Sequence, residues 1–352
     1  MPHRLIDILP YYYKNLLPRF FRNPIPEESL ATCDDCAMVA DSGGAGLKKN
    51  FYYKPGLRCC TYTPPLPNYA VGALLRDKSE AHKAGRKVIA RFFHSPIRAW
   101  PQGILPTPGY LQRYAKMSDK GFGKLRSLLC PYYEMELDRC SIWLYRGPVC
   151  ITFFCRHVAG TFGAVFWKAL LRYLQALEDA LNAYILKRLG WPSAQVSKLP
   201  LHFSPNDKNL NYGNRRRAWA HYVGKVEDFY GSAYMILKSL DRTNAEKILS
   251  RLNKRHLKKV ETAYLNMRQC KHPKRLKINP GLEVQRLGPK SYAVISEEGA
   301  FEVSPSMLAT IKLFNGKRSQ KEILREAGLK WGLKLESNNI SDLYRYGLVV
   351  DA

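Results

Sequence analysis

From residue 161 to 189 the apolar positions recur at three- and four-residue steps: Phe162, Val165, Phe166, Ala169, Leu170, Tyr173, Leu174, Leu177, Leu181, Tyr184 and Ile185. That period puts them on one helical face, and Gly190 and Pro192 end the pattern. The same rhythm predicts a helix over 215–240, with Trp219, Tyr222, Val223, Val226, Phe229, Tyr230 and Tyr234 along one side. A third helix, over 245–268, is basic on its outer positions. The aromatic stripe reads as core packing. Shorter helices are predicted at 71–86 and 108–129, and short helical pieces, broken by Pro10 and Pro18, at 6–21.

Beyond residue 280 the rhythm becomes alternating, with strands predicted at 283–286, 292–295 and 301–303. The turn Glu297-Glu298-Gly299 separates the last two. Ser304-Pro305 caps a helix through Phe314, and Ser319-Gln320-Lys321-Glu322 is a capping box that opens the next. Ser341 opens a last short helix ending at Gly347, followed by Leu348-Val349-Val350. A hairpin with three short helices predicts a small winged-helix domain. Residues 271–277 read as a linker before it. Residues 23–110 follow neither rhythm. They are rich in proline and carry the run Ser42-Gly43-Gly44-Ala45-Gly46, so they predict loops whose organiser is something other than a large core. The expected architecture is α+β and helix-dominant, with a loop-rich cysteine region at 1–160, a helical layer at 161–270 and a winged-helix domain at 281–352.

The candidate organiser is the cysteine set. Eight of nine cysteines form two groups of four: Cys33, Cys36, Cys59 and Cys60, then Cys130, Cys140, Cys150 and Cys155. The N-terminal residues show no continuous apolar run and no small-residue cleavage site, which argues against a signal peptide. The apolar stretch 160–186 carries Lys168, Arg172, Glu178 and Asp179, which argues against a simple transmembrane span. A cytoplasmic location is the expectation, and clustered cysteines in a reducing compartment point to metal or redox chemistry. A C-x2-C knuckle brings two thiolates to one metal from a single turn, and four thiolates satisfy tetrahedral zinc or an iron–sulfur cluster. All eight are candidate ligands, with zinc or an iron–sulfur cluster as cofactor. Cys270 lies outside both groups.

The second group also carries a resemblance. Cys130-Pro131, then Cys140-x-Ile142-Trp143-x-x-Arg146-x3-Cys150, resembles the CP…CxIYxxRPxxC signature of the YkgJ-like, zinc- or iron-chelating cysteine-cluster proteins. That family also has a C-x2-C and a Cys-Cys pair upstream, matched in type and order by Cys33, Cys36, Cys59 and Cys60. The departures are Trp143 for the usual Tyr, Gly147 before Pro148, and a long insertion between the knuckle and the pair. The resemblance spans about 32–156 and implies metal binding without implying a reaction. A related resemblance is to flagellin lysine methylases, which also place cysteines around a CP…CxI segment. The glycine-rich stretch 41–49 does not clearly follow a strand and precede a helix, as a cofactor-binding turn should. Residues 282–350 resemble PqqD-like domains, which bind leader peptides of ribosomally made natural products. The matching residues are Leu313-Phe314-Asn315-Gly316 and Leu343-x-x-Tyr346-Gly347-Leu348-Val349, and the resemblance implies a peptide or protein substrate added as a strand.

Charge bears on partners. Lys and Arg number 56 against 29 Asp and Glu, a net +27, which attracts polyanions. Nucleic acid is thereby admitted as a partner, through Arg215-Arg216-Arg217 and the run from Lys254 to Lys259, but solvated faces account for such runs more often. No familiar nucleophile or zinc-protease motif is present, no C-x3-C-x2-C occurs, and the sequence assigns no catalytic residue. His157, Asp34, Asp35 and Arg146 are secondary candidates beside the cysteines. Three readings follow: a metal-binding protein acting on a recruited peptide or protein, an iron–sulfur methylase-like or redox enzyme, and a nucleic-acid-binding protein with structural zinc.

Overall fold

The computed structural model describes residues 3–25, 53–54, 56–95, 97–154, 157–196, 201, 219 and 222–352. It is α+β with helix dominant, as the sequence predicts. Contacts divide the chain into two compact units. Met1–Pro24, Leu30–Cys155 and Leu171–Arg255 form the first; Ile25–Ser29, Arg156–Leu170 and His256–Ala352 form the second. Residues 161–270, expected as one helical layer, are shared between them.

The first unit opens with 3-10 turns at Leu5–Ile8, Tyr11–Tyr13 and Arg19–Arg22. Pro10 and Pro18 stand just ahead of the second and third turns, where a fixed φ suits the entry and no helical N–H is lost. Tyr13 and Phe21 reach the core from these turns. The Tyr13 hydroxyl donates to Glu178 Oε1 at 3.1 Å, giving a carboxylate that is only 2% exposed a buried donor. Strand β1 (Leu66–Pro67) leads into helix α1 (Asn68–Arg76), buried from Asn68 to Leu74. Helix α2 spans Lys83–Phe93. The single helix expected at 71–86 is thus two, because Asp77 turns the chain by accepting the Ser79 N–H at 2.7 Å.

Strands β2 (Ala99–Trp100) and β3 (Gly103–Ile104) join β1 in an antiparallel sheet of order β1-β3-β2. Helix α3 (Pro108–Gly121) is capped by Thr107, whose side chain accepts the Tyr110 N–H at 3.2 Å. It ends at Gly121 rather than 129, since Gly123 turns the chain at φ +69°. The hairpin of β4 (Tyr133–Glu134) and β5 (Arg139–Cys140), helix α4 (Pro148–Thr152), helix α5 (Thr161–Arg188, of which this unit holds the part from Leu171) and helix α6 (Ser193–Val196) follow. Helices α7 (Val226–Lys238) and α8 (Arg242–Leu252) complete the unit. Helix α1 crosses α7 at Gly72, where a Cβ would lie 1.9 Å from the Tyr230 carbonyl oxygen, so the crossing requires glycine.

A π-helical turn at Asn253–Leu257 interrupts the helix expected over 245–268. In the second unit, α9 (Lys258–Gln269) is followed by β6 (Leu276–Ile278), β7 (Glu283–Arg286), β8 (Tyr292–Ser296) and β9 (Gly299–Val303). Then come α10 (Pro305–Lys312), α11 (Gln320–Trp331), α12 (Ser337–Arg345) and β10 (Val349–Asp351). Strands β7-β8-β9 form one antiparallel sheet. The Ser319 capping box forms as expected. The segment expected as linker ends in β6, which pairs antiparallel with β10 from Leu276↔Asp351 to Ile278↔Val349.

Candidate metal centre

Five of the eight candidate ligands are described, and all five line one cavity of about 250 Å³ in the first unit: Cys59, Cys60, Cys130, Cys140 and Cys150. The two sequence groups therefore converge. The stitch is a backbone bond, in which the Cys130 N–H donates to the Cys60 carbonyl at 2.7 Å. Residues just past Cys60 are pinned to α3 and its exit. Tyr110 donates its hydroxyl to the Thr61 carbonyl at 3.0 Å and accepts the Thr63 N–H at 2.7 Å, while Thr61 Oγ1 accepts the Gly123 N–H at 2.6 Å.

The β4–β5 hairpin sets Cys140 directly opposite Tyr133, and Ser141 Oγ donates to the Tyr132 carbonyl at 2.7 Å. Cys150 stands in α4, which Pro148 starts in its first turn. A second tie joins the groups. Arg58 and Asp138 are two of the few non-glycine residues with left-handed backbone, at φ +52° and +53°. The Arg58 guanidinium, 5% exposed, donates to the Asp138 carboxylate and the Tyr133 hydroxyl. Tyr133 donates in turn to Asp138. Two conformations that are costly separately are thus fixed against each other beside Cys59.

The rest of the lining is largely aromatic, with Tyr62, Tyr114, Phe122, Tyr132, Trp143 and Phe153. Arg146 is the cation on this wall. Its guanidinium carbon lies 3.2 Å from the Trp143 ring centroid, and its Nε donates to the Trp143 carbonyl at 2.9 Å. A hydrogen bond from Cys60 holds the Cys59 thiol below its ordinary value, at about 7, against the effect of its burial; Arg146 and Arg58 act in the same direction. The same bond, with burial and the neighbouring thiolates, pushes Cys60 up. Burial pushes Cys130 up to about 12 and raises Cys140 and Cys150. The donor set is soft sulfur, which fits zinc or an iron–sulfur cluster, and such a ligand would have to displace thiol protons. Among the described residues no three His, Cys, Asp or Glu side chains are placed so that they could hold a metal ion as they stand.

Cys33, Cys36, Cys155, Asp34, Asp35, the glycine-rich stretch 41–49 and Arg215-Arg216-Arg217 lie outside the described residues. His157 belongs to the second unit, where its Nδ1 lies 3.5 Å from Glu298 Oε1. Cys270 closes α9 at φ +48°, with Arg345 Nη2 3.1 Å from its sulfur. Arg58 and the tyrosines at 62, 132 and 133 were not singled out from the sequence. Their signal was adjacency, for Arg58 directly precedes Cys59 and the tyrosine pair follows Cys130-Pro131. Among the described residues no helix is long and apolar enough to cross a membrane. No family model, no curated protein and no solved structure matches the chain.

Proposed function

We propose that the chain is a cysteine-ligated metal protein, carrying zinc or an iron–sulfur cluster, that acts on or helps deliver a peptide or protein substrate. The observation that supports it is the convergence of Cys59, Cys60, Cys130, Cys140 and Cys150 on one cavity. Thiols from distant segments gain little by meeting without a metal. Thiolates that share a metal gain a great deal, since the binding free energy becomes folding free energy. Four such sulfurs satisfy either a tetrahedral zinc or an iron–sulfur cluster. Cys59, Cys60, Cys130, Cys140 and Cys150 would hold it. Bound there, a cluster supplies electron transfer or Lewis-acid chemistry inside a largely aromatic wall, with Arg146 as a fixed positive charge.

Substrate recruitment rests on the second unit. Strand β8 is paired on both sides, so the outer edges of β7 and β9 are the places where an extended peptide would add a strand. All four residues of β7 are exposed. The deciding experiment is metal and acid-labile sulfide analysis, with a visible spectrum, on protein purified without oxygen. Iron with matching sulfide and a dithionite-bleached absorbance would support the proposal with a cluster at the site. Zinc alone would move the site to a folding role, and no metal would overturn the proposal.

A further inference from the structure

The cleft between the N-terminal turns and α8 carries a charge pattern that the metal reading leaves unused. It is an open cleft of about 680 Å³, lined by Lys14, Arg19 and Arg22 from the turns and by Arg242 at the start of α8, all four exposed. One carboxylate, Glu246, also lines it and is already engaged, accepting from Arg242 Nε at 2.9 Å. Among the described residues Lys14, Arg19 and Arg22 take part in no hydrogen bond or ion pair through their side chains. Three like charges gathered in one cleft repel one another, and an anion placed among them relieves that cost.

The cations do not hang from a loose tail. Tyr13 and Phe21, interleaved with them, are buried, and Phe21 packs on Tyr173 with centroids 5.2 Å apart. Tyr173 also donates to Asn253 Oδ1, at 3.0 Å, on the opposite lining of the cleft. The site is therefore held before any ligand arrives, which lowers the cost of binding. Its volume lies within the range of small-molecule pockets, about 300–1,000 Å³. We propose that this cleft binds a small phosphate-bearing molecule, whose phosphates sit among Lys14, Arg19, Arg22 and Arg242. The inference is independent of the metal reading.

Inorganic pyrophosphate, titrated into the full-length protein by calorimetry, is the probe. Saturable one-to-one binding is expected. The double variant Arg19→Glu with Arg22→Glu should weaken it by about tenfold or more, given about 1.5–3 kcal/mol per charge-assisted bond. Glu246→Gln should tighten it, because Arg242 is released and a repelling carboxylate is gone. Lys312→Glu with Lys317→Glu makes the same change of net charge at residues that do not line the cleft and should leave binding within about twofold. Equal weakening by both double variants would assign the effect to overall charge and overturn the site. So would the absence of saturation in the parent protein. A random duplex that binds where pyrophosphate does not, and is released by Arg19→Glu with Arg22→Glu, would reassign the cleft to nucleic acid and overturn the proposal as well.

Discussion

Replacing Gly85 by alanine tests how closely the cysteine segment is fitted to the scaffold. Gly85 is buried in α2, and a Cβ there would lie 2.6 Å from the Ser141 carbonyl oxygen and 2.6 Å from Ile142 Cγ2. The first neighbour is backbone and cannot swing aside, and it belongs to the residue that follows Cys140. Two effects oppose each other. Alanine improves the helix by about 1 kcal/mol over glycine. Overpacking against a fixed neighbour costs about 1–3 kcal/mol. Contact this short with backbone belongs at the upper end, so the net expectation is a loss of about 1–2 kcal/mol. The strain should appear locally as displacement of Ser141 and its neighbour Cys140. Urea unfolding gives the stability term, and metal content per chain gives the local one. A midpoint that falls at unchanged slope, with metal content reduced, is the expected result. A variant as stable as the parent and fully loaded would refute the claim that α2 backs the site.

Other perturbations follow from single contacts. Burial raises the Asp77 carboxyl, but hydrogen bonds from Ser79, Tyr145 and His82 outweigh it and bring the group down to about 2. Its stabilising effect is thus present above the unfolded value near 4 and is lost as pH falls toward 2. Asp77→Asn should cost on the order of 1–2 kcal/mol at pH 7, and denaturation curves should show that difference shrinking below pH 4. Asp138→Asn removes the counter-charge of buried Arg58, and partial exposure of Asp138 (43%) brings the expected loss down to about 1–3 kcal/mol. Chemical denaturation would detect it, and an unchanged midpoint would mean that the ion pair does not hold the loop ahead of Cys59. Ser319→Ala deletes the capping box of α11 and should cost about 1 kcal/mol. Faster amide exchange confined to that helix would show it, whereas uniform exchange would argue against a local cap.

The second unit was the more legible in sequence because its signals are local. Strand β7 forms over the residues that alternation marks, and the Glu297-Glu298 turn and Ser319 box need only neighbouring residues. What sequence spacing did not show is non-local. Residues 276 and 277 read as linker because the partner of their strand, β10, lies far along the chain. The break in the helix at 253–257 has no proline or glycine to announce it. At the site, spacing separates the cysteines into two groups of four. The fold joins five of them through one bond between the Cys130 N–H and the Cys60 carbonyl, together with an arginine whose role depends on two left-handed residues meeting. Residue types could nominate the ligands, but only the chain path could say which of them share a space.

Metal stoichiometry in Cys60→Ser and Cys140→Ser, each compared with the parent protein after anaerobic purification, tests that joining most directly. If one centre draws on both groups, either substitution removes essentially all of the bound metal, and combining them removes no more. Independent partial losses that add in the double variant would mean two separate sites and would contradict the account.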